Sequence, residues 1–364
     1  MTISLINKVA KKIVIKIGSN VLALASGLPN KERIHDLVNQ VALLKNQGHQ
    51  VIMVSSGAVA FGRNKVKFPA NFDAVSKKQV LASIGQISLM SLYNEFFSQH
   101  NLVCSQILTT KESFSTRQYY LNVMNCIDAT LKCGVVPIIN ENDVVSVSEL
   151  MFTDNDELSG LVASMLKVDE LLILSNVDGI FTAHPKERGA RLIRDFYQDK
   201  INLAKAISHE KSEFGRGGML TKANTAVKIS ELGVNVTIGN GSVDNITSEL
   251  LNRRSGTFFK ASFYKNKSAV KKWISNSSSF SKGKIYINQG AHDVLTSDNA
   301  VSLLPIGIEK IEGEFEKGDI IAILNQEAQE VGFGKASYGS KKAIKLQKKH
   351  HQPALIHYDY LTLK

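Results

Sequence analysis

The chain has 364 residues, 43% of them hydrophobic and 21% charged, and a net charge of +11. That composition suits a globular protein of two or three domains and excludes a chain-wide disordered or collagen-like polymer. No apolar run approaches the roughly 18 residues of a membrane span. The N-terminal segment lacks the features of a secretory signal, and three cysteines (Cys104, Cys126, Cys133) make neither a disulfide framework nor a metal-ligand spacing, so a cytoplasmic, reducing setting is expected.

Ile13–Ile17 is a β-branched strand stopping at Gly18, and residues 31–47 follow with helical spacing of Ile34, Leu37, Val38, Val41 and Leu44. Val51–Val54 reads as the next strand, broken at Ser55-Ser56-Gly57, with a long helix over 75–99. Further strands are expected at 102–108, 135–139, 170–175 and 235–239, and helices near 116–132, 156–166, 219–232 and 243–251. Continuous apolar strands alternating with amphipathic helices imply a parallel sheet covered on both faces. Ligands in such sheets sit beyond the carboxyl ends of the strands. After residue 260 the pattern changes. A short basic helix is expected at 265–274 and a polar linker at 275–282. Beyond it come short strands at Lys284–Asn288, Ser302–Leu304, Gly307–Glu312, Asp319–Leu324 and Glu330–Ala336, a small β-rich domain. Residues 281–364 hold 11 Lys against 10 Asp and Glu, so the basic excess lies in the larger N-terminal part. Such an excess attracts phosphates of any kind.

Five segments could carry chemistry. Lys16 interrupts an apolar strand at its carboxyl end, next to Gly18; it is either a cation held over a phosphate or an edge lysine reaching solvent. Ser55–Gly62 breaks a strand into small residues and opens a helix, an anion cradle or simply a tight turn. Ile139–Ser146 and Phe152–Ser159 set Asn140, Glu141, Asn142, Asp143, Asp154, Asn155 and Asp156 beyond a buried strand. These could hold an α-ammonium group or orient catalytic lysines; the plain alternative is a solvated loop with helix caps. Phe214–Lys222 is a Gly-rich loop opening a helix, a phosphate cradle of non-Walker type or a surface loop. Ser175–Pro185 reads as a turn into a short hairpin, either a wall of a nucleotide site or a hairpin without a ligand. The nine histidines are scattered, and no Ser-His-Asp set stands out.

The segments IVIKIGSNVL, VSSGAVAFGR, VVPIINENDVV, FTDNDELSGLVA, DGIFTAHP and GRGGMLTKANTA resemble, in order, the glutamate 5-kinase family of the amino acid kinase superfamily, and GKIYINQGAHDVLTSDNAVSLLPIGI resembles its PUA domain. The resemblance covers nearly the whole chain. It implies a three-layer αβα sandwich with a mainly parallel central sheet plus a small β-barrel-like PUA domain. The spans expected are 1–262 for the kinase domain, 263–282 for a linker and 283–364 for the PUA domain. The implied reaction is phosphorylation of the side-chain carboxylate of L-glutamate by ATP, the first step of proline biosynthesis.

The residue chemistry agrees. A carboxylate acceptor is already ionised at neutral pH, so no general base is required. The demand is to align two anions and offset their repulsion. By resemblance, Lys16 and Lys222 stabilise the transferring phosphoryl group and Asp156 holds both. The backbone at Gly18 and Gly57 takes phosphate or acyl oxygens, and Ser56, Asp143 and Asn155 bind glutamate with Asn140 and Asp154 nearby. Lys16, Gly18, Ser175, Asn176 and the loop Arg216, Gly217, Gly218, Met219, Leu220, Thr221 and Lys222 bind ATP. Mg2+ rides on the ATP phosphates with no protein metal site. Feedback inhibition by proline and a homo-oligomer, tetramer or dimer, are further implications. The family usually has Thr-Asp where Ser175-Asn176 stand, Asp at His184 and a small residue at Arg216. Two alternatives stay open: another kinase of the superfamily, and an RNA-binding PUA protein.

Overall fold

The computed structural model describes residues 9–146, 152, 154–183, 187–197, 218–262, 273–274, 281–297 and 301–363. By its contacts the chain divides into two compact units, one of Met1–Thr110 with Met124–Tyr264, the other of Lys111–Val123 with Lys265–Lys364. Lys111–Val123, inside the span expected for the first domain, packs with the second unit, where buried Trp273 donates its indole N–H to Phe114 O at 3.2 Å. The expected linker and basic helix lie mostly outside the described residues.

In chain order the first unit and the segment inserted in it run β1 (Lys12–Ile17), α1 (Ser19–Leu22), α2 (Lys31–Asn46), β2 (Gln50–Ser55), α3 (Ala58–Gly62), α4 (Ala74–Ser98), β3 (Cys104–Thr109), α5 (Glu112–Ser115), α6 (Arg117–Lys132), β4 (Val136–Glu141), α7 (Asn155–Met165), β5 (Glu170–Ser175), α8 (Met219–Glu231), β6 (Asn235–Asn240), α9 (Ile246–Leu251) and β7 (Thr257–Phe259). The sheet order is β3-β4-β2-β1-β5-β6-β7, with every pairing parallel except β6 to β7. The expected strands and helices form within a few residues of their expected ends, because each is a long apolar or strongly periodic run.

Strand alternation decides which side chain meets which helix. Ile13, Ile15 and Ile17 join Ile34, Leu37, Val38 and Val41 of α2 in one core cluster. The intervening Val14 and Lys16 therefore face the other side of the sheet, where α7 packs on β1. On the first side, α3 and α4 meet through glycine. A Cβ on Gly85 would lie 1.7 Å from Ala58 O, and one on Gly62 would lie 2.0 Å from Leu81 O, so only bare backbone permits this approach.

The second unit holds β8 (Gly283–Ile287), α10 (Gln289–Thr296), β9 (Ile308–Glu312), β10 (Ile320–Leu324), β11 (Glu330–Lys335), α11 (Ser340–Leu346) and β12 (Leu361–Leu363), the strands ordered β12-β11-β10-β8-β9. Its core includes Ile285, Ile287, Phe315, Ile321, Ile323 and Ile356. Ser302–Leu304 was expected as a strand; instead Leu303 makes an isolated bridge to Ile356. Only Leu303 of that segment pairs, so no ladder forms there.

Candidate active site

The site gathers at the carboxyl ends of β1, β2, β4 and β5. α7 opens there because Asp154 caps it: Asp154 Oδ1 accepts from the Asp156 and Glu157 N–H groups at 2.9 and 3.1 Å. The cap sets Asp156 in the first helical turn, where the helix dipole favours a carboxylate.

Asp156 is fully buried and faces two amines. Lys16 Nζ, from β1, lies 2.6 Å from Oδ1, and Lys222 Nζ, from the first turn of α8, lies 2.9 Å from Oδ2. Each carboxylate oxygen thus faces one ammonium at the distance of a charge-assisted contact. Burial opposes ionisation of Asp156, but the two ammonium groups outweigh it and hold its carboxyl below the ordinary value. Asp154 goes the other way. Burial first, and the Asp156 charge second, push its carboxyl up. Its Oδ2 is buried without a hydrogen-bond partner. Gly18 donates its N–H to Leu174 O at 3.1 Å, and a Cβ there would stand 3.6 Å from Lys16 Nζ. The tighter neighbour of that Cβ would be Leu174 O at 3.2 Å, so bare backbone at Gly18 eases the close approach to the end of β5.

Beside this triad lies a polar pocket. Asn155 Nδ2 donates to Ser56 Oγ at 2.8 Å and to Asn140 Oδ1 at 3.0 Å. Asn140 Nδ2 donates to Gln86 Oε1 of α4 at 3.0 Å. Gly57 turns the chain from β2 into α3 at φ 106°, a left-handed conformation that favours glycine. Ser55 Oγ and the buried Tyr93 hydroxyl, 2.8 Å apart, support the floor below it. Beyond β4, Asp143 forms an ion pair with Lys78 of α4, and Glu141 Oε1 accepts the Phe152 N–H at 2.9 Å, tying the end of β4 to the approach of α7.

Ser175 is buried at the end of β5 and its carbonyl accepts the Gly241 N–H at 2.7 Å; Asn176 beside it is exposed. The hairpin expected after β5 forms: the Thr182 N–H donates to Arg191 O and the Ile193 N–H to Ile180 O, at 2.9 and 2.8 Å. Gly218 caps α8, and Met219, Leu220 and Thr221 form the turn that carries Lys222. Arg216, Gly217 and His184 lie outside the described residues.

The fold thus brings together Lys16, Lys222, Asp156, Asp154, Asn155, Asn140 and Ser56. It adds three residues that sequence reasoning missed, namely Lys78, Gln86 and Tyr93, all from α4. Polar residues seven and eight apart on one long helix were the available signal, and a solvated helix face produces the same signal.

Comparison with known proteins follows the same outline. The amino acid kinase family model matches residues 11–240 and the PUA domain model residues 283–357. Glutamate 5-kinase of Bacteroides thetaiotaomicron is 46% identical over 97% of this chain and 98% of its own length. Glutamate 5-kinase of Chlorobaculum tepidum is 44% identical over 98% of each chain. Among solved structures, carbamate kinase from Giardia lamblia superposes with a TM-score of 0.49 at 19% identity, covering 70% of this chain and 99% of that one.

Proposed function

Because the chain belongs to the amino acid kinase family, beside its glutamate 5-kinases, we propose that it transfers the γ-phosphoryl group of MgATP to the side-chain carboxylate of L-glutamate. The observation that carries this reading is the pair of amines on one buried carboxylate at the carboxyl end of β1.

The acceptor carboxylate arrives charged, and its oxygen attacks the γ-phosphorus in line. The new O–P bond forms as the bond to the β-phosphate oxygen breaks, and ADP leaves with the electron pair. Lys16 and Lys222 approach from different elements, and their charges offset the negative charge gathered on the transferring group. Asp156 keeps both amines aimed. Asn155, Asn140 and Ser56 orient the acceptor, while Asp143 and the open oxygen of Asp154 receive its ammonium. Ser175, Asn176 and residues 218–222 lie on the nucleotide side. The divalent cation, Mg2+, enters as part of the nucleotide substrate. Three cysteines without disulfide partners suit a reducing cytoplasm.

An acyl phosphate is trapped by hydroxylamine. Purified protein with MgATP, glutamate and hydroxylamine should yield the hydroxamate and ADP, and aspartate, N-acetylglutamate and UMP should not replace glutamate. Lys16→Ala and Lys222→Ala should each lower turnover by about 10^2- to 10^3-fold. Absence of both products, or preference for another acceptor, refutes the reading.

A further inference from the structure

Lys78 has no part in the phosphoryl-transfer machinery described above, yet it pairs with Asp143, the carboxylate that the proposed reading sets against the acceptor's ammonium. Its ammonium pairs with Asp143, the two side chains being 30% and 16% exposed. Holding the turn after β4 does not account for it. Gln79 Nε2 already donates to Val144 O at 2.6 Å, the Ser146 N–H donates to Asn142 O at 2.9 Å, and the Asn142 N–H donates to Thr109 O at 2.8 Å.

The charges in the pocket define what is missing without it. Asp143, Asp154 and Asp156 are carboxyl groups, and Lys16 and Lys222 are both on Asp156. The acceptor brings two carboxylates. One goes to the phosphoryl group; the other, on the α-carbon, needs a fixed cation of its own. Lys16 and Lys222 being committed to Asp156, Lys78 is the cation that the described residues place beside Asp143. A positive and a negative group side by side are the complement of an α-carbon that carries a carboxylate and an ammonium. The helix that presents Lys78 to Asp143 also presents Gln86 to Asn140, so one rigid element ties together the two segments that the proposed reading gives to the acceptor.

We propose that Lys78 binds the α-carboxylate of the amino-acid acceptor, and that Lys78 and Asp143 together select a zwitterionic α-carbon. This assignment rests on the acceptor being glutamate. In Lys78→Ala, KM for glutamate should rise about 10- to 100-fold, the size of one charge-assisted contact, with kcat within about threefold of wild type. Lys78→Arg should recover most of the loss. The decisive comparison uses the α-amide of glutamate, which keeps the ammonium and the side-chain carboxylate but has a neutral amide in place of the α-carboxylate. The wild type should discriminate against it by a similar factor, and Lys78→Ala should not discriminate. A merely structural Lys78 would weaken both substrates alike. Discrimination that survives in Lys78→Ala, or is absent from the wild type, overturns the proposal, as does an unchanged KM. A wild type that makes no hydroxamate from glutamate refutes the acceptor reading itself, which is a different result.

Discussion

Two buried carboxylates, each facing two cations, stand at opposite ends of the seven-stranded sheet. At the amino end, Glu170 of β5 accepts from Lys11 Nζ at 2.8 Å and from Arg253 Nη2 at 2.9 and 2.7 Å. Arg253 also donates to Thr237 Oγ1 at 2.9 Å and lies 3.9 Å from the Phe258 ring centre. At the carboxyl end, Asp156 meets Lys16 at 2.6 Å and Lys222 at 2.9 Å. Lys11 immediately precedes β1 and Lys16 lies near that strand's carboxyl end. The first cluster uses a planar guanidinium whose donors are fixed in place, and it is satisfied. The second uses two ammonium groups, compact charges on flexible stems that can turn toward a passing phosphoryl group. A planar fork suits a fixed brace; ammonium groups on flexible stems suit a partner that moves.

Four substitutions break or sharpen that contrast. The largest effect is expected for Asp156→Asn, which removes the common anchor of two like charges. Turnover should fall on the order of 10^3-fold, with a smaller loss of melting temperature than any change at Glu170. Next comes Glu170→Ala, which removes the buried carboxylate that Lys11 and Arg253 share, both of them partly exposed. Urea unfolding should record a loss of about 1–3 kcal/mol, while the folded enzyme keeps wild-type turnover. If Glu170→Ala slowed the reaction and left stability intact, the contrast would be wrong.

Gly85→Ala is expected to rank third. Its Cβ would fall 1.7 Å from a backbone oxygen, which cannot swing aside. Overpacking of this kind costs about 1–3 kcal/mol. It should also raise KM for glutamate, since α4 would carry Gln86 and Lys78 away from β4.

The smallest effect concerns Asp154→Asn, and pH reveals it. Asparagine caps a helix about as well as aspartate, so the cap survives. The Asp154 carboxyl is pushed up, by burial and then by Asp156, so the fold favours its protonated form. That stabilisation is fully present below the unfolded value near 3.9 and is lost as pH rises through the folded value. Asp156 has the opposite sign: its contribution is present above the unfolded value and is lost as pH falls through the folded one. Melting temperatures from pH 4 to 8 should therefore show Asp154→Asn gaining on the wild type as pH rises. A difference that stays flat across that range would rule out the buried-charge account of Asp154.

Most of the fold could be read in advance where local pattern and tertiary need agree. β1, β2, β4 and β5 are apolar runs long enough to be nothing else, and α2 repeats Ile34, Leu37, Val38, Val41 and Leu44 on one face. What escaped was short or polar. β7 and β12 have three residues each, too few for a period to register. α10 starts at Gln289-Gly290 and has only Leu295 buried, so its sequence reads as a turn. In the site, Lys16, Asp156 and Lys222 announced themselves by interrupting apolar runs or opening helices. Lys78 and Gln86 did not, because polar residues on a long helix look the same whether they face water or a pocket.

The linear order of residues determined the alternation of strands and helices, the strand ends at which chemistry collects, and the identity of the charged groups, because these depend on neighbours within a few positions. Tertiary structure alone decided that Lys16 and Lys222, over 200 positions apart, share the two oxygens of one carboxylate, and that α4 sits close enough to join the pocket. Strand alternation, the crossing of helices at bare glycine backbone and the burial of Asp156 are properties of the packed sheet, and no local stretch of the chain contains them.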